Sequence, residues 1–385
     1  MHPSIIVRLG ALCVVGLAAV GCGFSPGKPV SGAGGTGNIH ITTGGGGIGN
    51  FGGTTSGQGG LTGQGGNMAC GAVPKSSSKL PPDILIVLDA SGSMNEDSTN
   101  TSCGNQGCGA TSKWALMAPA INQVVMDTQG DVNWGIKFFA DSTSDRACGV
   151  TNNAAVPVAA NNAAAISTAI MGRTSANGGV SNGSSTPTRA AENAAVTYLT
   201  NLAQTDQNPK FIVLATDGSP NCPMGGSQQT DDSPGAIGAV TAAKTAGYPT
   251  FVVGIATAGG AAETTLNSMA TAGGYPQMGA ATQFYAVTDT AGFATVLRTL
   301  VGVATTCQYS IPTPPTNDGT TSRADISVNT TATNGSSTAI LQDASNGWTY
   351  ADAGMKTILL HGPACDLLKA RAITGVTIVF HCRTI

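Results

Sequence analysis

Two runs of apolar, largely β-branched residues each lead into an aspartate, and together they leave this chain few folds to choose from. Ile84-Leu85-Ile86-Val87-Leu88 leads into Asp89, and Phe211-Ile212-Val213-Leu214-Ala215 leads into Thr216-Asp217. A short apolar run bounded by turn residues reads as a strand buried on both faces, as in a parallel sheet covered by helices. Open sheets of that kind bind ligands beyond the carboxyl ends of their strands, which is where these aspartates would sit.

From Pro81 to about Thr306 the pattern alternates between the two periods. Lys113–Thr128 spaces Trp114, Leu116, Met117, Ile121, Val124 and Val125 as a helix does, and Val132–Ala140 reads as a strand. Helices are expected over Asn161–Met171, Pro187–Leu202, Pro234–Ala246, Ala261–Ala272 and Thr290–Val303, with strands over Phe211–Ala215, Thr250–Ala256 and Phe284–Val287. The fold class predicted is α/β, a doubly wound and mostly parallel sheet with helices on both faces.

Three segments then place hydroxyls and carboxylates at strand ends. They are Asp89-Ala90-Ser91-Gly92-Ser93, Thr186 in Gly183-Ser184-Ser185-Thr186-Pro187-Thr188, and Thr216-Asp217-Gly218. Each has a purely structural reading. Asp89 and Ser91 suit a helix cap, Thr186 before Pro187 suits an N-cap, and Thr216-Asp217-Gly218 suits a turn. Taken together and in this order, they resemble the metal-ion-dependent adhesion site of von Willebrand factor type A domains, with all five expected positions filled.

The resemblance covers about Pro81–Thr306 and implies a metal site formed by Asp89, Ser91, Ser93, Thr186 and Asp217. It implies that the serine and threonine hydroxyls touch the ion, while the two aspartates act largely through water or by accepting hydrogen bonds from those ligands. Hard oxygen donors suit Mg²⁺ first, with Mn²⁺ or Ca²⁺ as substitutes, and the absence of His and Cys from the motifs disfavours Zn²⁺. Neutral direct ligands leave the ion able to accept a carboxylate from a protein partner. A scaffold with a purely structural metal is an alternative. So is a hydrolase, although Ser91 and Ser93 have no candidate His nearby and no Gly-x-Ser-x-Gly elbow, so the expectation is a binding protein and not an enzyme.

The rest of the chain speaks to location. Residues 1–21 read as a signal peptide, with Arg8 ahead of an apolar stretch ending in Ala19-Val20-Gly21-Cys22, which resembles a bacterial lipobox and implies a lipidated Cys22 as membrane anchor. Gly23 in place of Asp points to the outer membrane, facing the periplasm or the surface. Residues 22–79 read as a disordered tether, because Pro29 to Pro74 holds no Asp, Glu, Lys or Arg and is dominated by small polar residues. Charged residues make up 10% of the chain and the net charge is −3, which gives no footprint for nucleic acid.

Eight cysteines remain after Cys13 and Cys22, an even set that reads as disulfides in an exported chain. The expected pairs are Cys70–Cys307, Cys103–Cys108, Cys148–Cys222 and Cys365–Cys382. Residues 307–385 read as a small α+β domain, with strands over Ala324–Val328, Thr338–Leu341, Lys356–Leu360 and Gly375–Phe380 and a helix over Cys365–Ala372. A rival use of His361, Cys365, His381 and Cys382 is a zinc site, since a His-x₃-Cys spacing spans one helical turn.

Overall fold

The structure is a computed structural model that describes residues 72–382 apart from 140, 142–147, 182–184, 224–229, 258, 316–320 and 371. The signal segment, Cys22, Cys70 and most of the glycine-rich stretch lie outside the described residues. No helix among the described residues is long and apolar enough to cross a membrane.

The first described strand is β1 (Val73–Ser77), and the central sheet begins with β2 (Asp83–Asp89). Chain order then runs α1 (Lys113–Thr128), β3 (Asn133–Phe139), β4 (Val156–Ala159), α2 (Ala163–Arg173) and α3 (Thr188–Leu202). It continues through β5 (Lys210–Thr216), α4 (Ser233–Thr245), β6 (Thr250–Ile255), α5 (Glu263–Gly273), β7 (Tyr285–Val287) and α6 (Thr290–Ala304). The central sheet has the order β4-β3-β2-β5-β6-β7 and is parallel except at the β4 edge.

Strand alternation sorts the core into two layers. Ile84, Ile86, Leu88, Phe211, Val213, Phe251 and Val253 face the layer filled by α1, α2 and α6. Leu85, Val87, Ile212, Leu214 and Val252 face the layer of α3, α4 and α5. Every residue of β2 and β5 is buried, which explains why both read as unbroken apolar runs. The strands are pinned at the end away from the aspartates. There the buried Asp83 carboxylate accepts from the Asn133 side chain at 2.8 Å and pairs with the Lys210 ammonium at 3.1 Å, tying β2 to both neighbours.

The helix over Lys113–Thr128 stands where the sequence places it, and the other predicted helices and strands differ from the observed ones by a few residues. β4 was not predicted. It is four residues long at a sheet edge, with only Val156 buried, so it lacks the apolar run that marks the central strands.

The second layered body follows as β8 (Gln308–Ser310), β9 (Thr321–Ala332), β10 (Ser337–Ile340), β11 (Trp348–Tyr350), β12 (Thr357–Leu360), α7 (Gly362–Lys369) and β13 (Ile373–Cys382). Its sheets run β1-β13-β9-β10 and β11-β12-β8 around Val328, Trp348, Ile358, Ile378 and Phe380. β1 corrects the expected tether, because Val73 pairs with Phe380 and Ser77 with Val376 inside a segment read as unstructured. Five consecutive antiparallel partners on the long strand β13 order it despite a composition that favours coil. The small domain is therefore discontinuous, and the larger one is inserted between β1 and β8.

Disulfides also depart from expectation. Cys307 bonds Cys365 (Cα–Cα 5.4 Å), so neither Cys70–Cys307 nor Cys365–Cys382 forms. The cause is topological: Cys307 leads into β8, and β8 pairs with β12, the strand that precedes Cys365 on α7. The rival zinc set falls with it. Cys365 is spent, His361 Nε2 lies 2.8 Å from the Thr349 hydroxyl, and His381 Nε2 lies 3.0 Å from the Ser327 hydroxyl.

One buried acid sets a pH dependence for the larger domain. Glu192 on α3 is fully buried, meets only the Thr250 hydroxyl at 3.4 Å, and has an Oε1 with no partner among the described residues. Burial pushes its carboxyl from 4.5 up to about 8. The folded chain thus holds a proton that the unfolded chain releases, so the contribution of Glu192 to stability is greatest below about 4.5 and declines as pH rises to about 8. Glu192→Gln is expected to raise Tm at pH 8 by about 5 °C while leaving pH 5 within about 2 °C, read by thermal unfolding. An unchanged pH profile would show that the acid is not buried as described.

Candidate metal centre

The site is assembled where β2 and β5 end. Leu88 pairs with Ala215, so one further step sets Asp89 beside Thr216. The Asp89 carboxylate is fully buried and both its oxygens are engaged: Oδ1 accepts the Ser91 N–H at 2.8 Å and Oδ2 accepts the Thr216 hydroxyl at 2.6 Å. After Asp89 the chain turns through a single 3₁₀ turn at Gly92–Asn95, which brings Ser93 Oγ to 3.0 Å from Ser91 Oγ. Ser93 then donates to Asp217 Oδ1 at 2.8 Å.

Thr186 is held from behind by its backbone. Its N–H donates to the Asn221 Oδ1 at 2.7 Å, and its carbonyl accepts the Asn221 N–H at 3.0 Å and the Thr188 N–H at 2.8 Å. Its hydroxyl makes no hydrogen bond among the described residues, and Pro187 rather than Thr186 is the N-cap of α3. Gly218 shows where the hydroxyls converge. A Cβ there would stand 3.7 Å from Ser93 Oγ and 3.8 Å from Thr186 Oγ1, so a side chain at this position would intrude on the space the donors share.

A lysine and a glutamate complete the cluster. Lys113, the first residue of α1, is 1% exposed and donates to Asp217 Oδ2 at 2.8 Å. The same ammonium reaches Glu96 Oε2 at 3.2 Å, and the Lys113 N–H donates to the Glu96 carbonyl at 2.8 Å. Burial and the charge of Asp217 push the Asp89 carboxyl up to about 7. Burial also raises Asp217, against the lowering effect of the Lys113 ammonium. Two neighbouring carboxylates with raised affinity for protons mark a place short of positive charge.

The structure therefore brings Asp89, Ser91, Ser93, Thr186 and Asp217 to one end of the sheet. Three hydroxyls and two carboxylates, with two of the hydroxyls meeting beside Gly218, are a hard-oxygen donor set, and they fit a divalent cation of the Mg²⁺ kind. The pattern of apolar runs and short motifs did not yield Lys113, Glu96 or Asn221. A lysine heading an amphipathic helix reads as solvated, since lysine is almost never fully buried unless paired. Another cluster, Asp97 with Cys103 and Cys108, offers a metal little, because its two sulfurs are bonded to each other.

Two loops frame this end of the sheet. Cys103–Cys108 closes the first, and Asn95 ties it to Val180 by accepting that residue's N–H at 2.8 Å and donating to its carbonyl at 3.1 Å. Between this loop and the stretch 175–181 runs a groove of about 660 Å³ lined by Gly92, Asn95, Glu96, Asn105, Asn177 and Ser181 among others. Cys148–Cys222 braces the second loop, and the buried Lys137 holds its approach by donating to Asp141 at 3.0 Å and to the Asn153 carbonyl at 3.1 Å. Asp231 and Asp232 read as a solvated acidic pair, but Asp232 is 1% exposed and bonded to Arg189. Trp114 is core, packed on Phe138.

Solved structures with a related fold are distant. The PilB minor pilin from Streptococcus sanguinis matches at 16% identity and a TM-score of 0.40, over 59% of this chain and 62% of that one. The pilus adhesin SpaC from Lactobacillus rhamnosus GG, in its open conformation, matches at 14% and 0.42, over 79% and 39%. Manganese-loaded TRAP from Plasmodium vivax matches at 14% and 0.41, over 60% and 78%. The chain thus spans under two thirds of the length of the pilin and of the adhesin. No curated protein matches the sequence. The model of the von Willebrand factor type A domain matches residues 83–299, more than half of the chain, from the start of β2 into α6 and including all of the central sheet, and this chain belongs to that family.

Proposed function

We propose that this protein is an exported, tethered binding module that engages an acidic group of a protein partner through a divalent cation. The observation that carries this reading is the convergence of the Ser91, Ser93 and Thr186 hydroxyls in front of two buried carboxylates. A bound Mg²⁺, or Mn²⁺ or Ca²⁺ in its place, would supply an electrophilic centre with coordination positions left open to a ligand from outside.

The chain's own residues prepare that centre. Asp89 fixes the Ser91 backbone and the Thr216 hydroxyl, so the turn carrying both serines is held before any ligand arrives. Asp217 orients Ser93, and Asn221 orients Thr186. Hydroxyl ligands cancel none of the ion's charge, which favours an incoming carboxylate over a neutral group. The groove beside Glu96, rich in side-chain amides, is suited to hydrogen-bonding the peptide on either side of that carboxylate. Ser91 and Ser93 bond each other and aspartates rather than a histidine base, which favours a reading of binding over catalysis.

Immobilised polyglutamate, with polyglutamine as the neutral control, tests the reading. In Mn²⁺ the protein should be retained on polyglutamate and released by EDTA. Asp217→Ala and the milder Thr186→Val should each weaken Mn²⁺ binding by about tenfold or more in calorimetry. Retention indifferent to EDTA would overturn the reading.

The membrane is the second partner in this proposal. Lipidation of Cys22 would anchor the chain to the outer membrane, and the three disulfides among the described residues suit an oxidising compartment. Mass spectrometry of the mature N-terminus should find a diacylglyceryl group on Cys22. An unmodified cysteine, or cleavage elsewhere, would remove the anchor.

A further inference from the structure

We propose that Lys113 and Glu96 set how the site divides its affinity between the metal and the partner's carboxylate. This rests on the metal-dependent reading above and extends it to two residues outside the five-residue motif. Asp217 turns one oxygen to Ser93, on the metal side, and the other to the Lys113 ammonium at 2.8 Å. That ammonium is 1% exposed, so it contacts neither solvent nor a docked partner, and its influence on both is electrostatic. Glu96, with a side chain 32% exposed, pairs with the same ammonium at 3.2 Å and also lines the polar groove.

The charge count gives the consequence. With both aspartates ionised beside a bound cation, Asp89, Asp217 and Glu96 with Lys113 carry two formal negative charges, which a divalent cation cancels. A carboxylate then docks on a neutral cluster. Without the lysine the loaded cluster would keep one negative charge, so the metal would bind more tightly and an incoming carboxylate would be repelled. Without Glu96's charge the signs reverse. Charges within a few ångströms and out of water interact strongly enough for each step to change affinity by about tenfold. A lysine serving only as a strut for Asp217 would act differently: its loss would loosen the site and weaken both kinds of binding together.

The test is Lys113→Met and Glu96→Gln measured beside wild type at one pH and ionic strength. Calorimetry with Mn²⁺ alone reads the metal, and retention of the Mn²⁺-saturated protein on polyglutamate reads the carboxylate. Lys113→Met should bind Mn²⁺ about tenfold tighter and polyglutamate about tenfold weaker, with Lys113→Arg restoring both. It should also unfold at a lower temperature in EDTA, with Mn²⁺ recovering more of the loss than it adds to wild type. Glu96→Gln removes a partly exposed charge without emptying the core, so it remains informative should Lys113→Met not fold. It should bind Mn²⁺ a fewfold weaker and polyglutamate a fewfold tighter. Wild type that binds Mn²⁺ and polyglutamate while either variant shifts both affinities in the same direction, or neither, overturns this inference and spares the reading beneath it. Wild type that binds no Mn²⁺ overturns both.

Discussion

Asp89 and Asp217 are buried carboxylates at the ends of two adjacent parallel strands, and a charge removed from water must be met by donors or by opposite charge. The surrounding structure can be traced from that requirement. Asp89 is met by a backbone N–H and the Thr216 hydroxyl, which fixes the turn after β2. Asp217 is met by Ser93 and by the ammonium that opens α1, which fixes where the first helix starts. Positive charge is still in deficit after these contacts, and a cation is what the space beside Gly218 would hold.

Rigidity below the site complements that arrangement. The Asp83–Lys210 pair and the Asn133 side chain lock β2 to its neighbours at the opposite end of the sheet. The layers above and below β2 and β5 leave no residue of either strand exposed. A donor set supported in this way keeps its spacing when the ion is absent, which lowers the cost of binding it. Insertion of the whole domain between β1 and β8 adds a further constraint, since both of its ends are fixed in one small sheeted body closed by Cys307–Cys365.

Much of this was legible in the sequence because the relevant signals are local. Fully buried strands announce themselves as apolar runs, as at Ile84–Leu88, and hydroxyl-rich turns after them are visible as short motifs. What stayed hidden depends on contacts distant in sequence. Lys113 is buried because Asp217, more than a hundred residues later, awaits it, and nothing near Lys113 reports that. β1 looks like linker because its order comes from β13 at the other end of the chain. The pairing of Cys307 with Cys365 depends on β8 joining β12, and a three-residue strand such as β8 carries too little pattern to be seen.

A divalent cation is expected to bind in front of Asp89 and Asp217 on the serine and threonine hydroxyls. Anomalous diffraction from crystals grown with Mn²⁺ measures this directly. A single strong anomalous peak is expected within coordination distance of the Ser91, Ser93 and Thr186 hydroxyls, about 2.0–2.3 Å, with the Lys113 ammonium still on Asp217. A peak elsewhere, or a Lys113 ammonium filling that position with no manganese present, would contradict it.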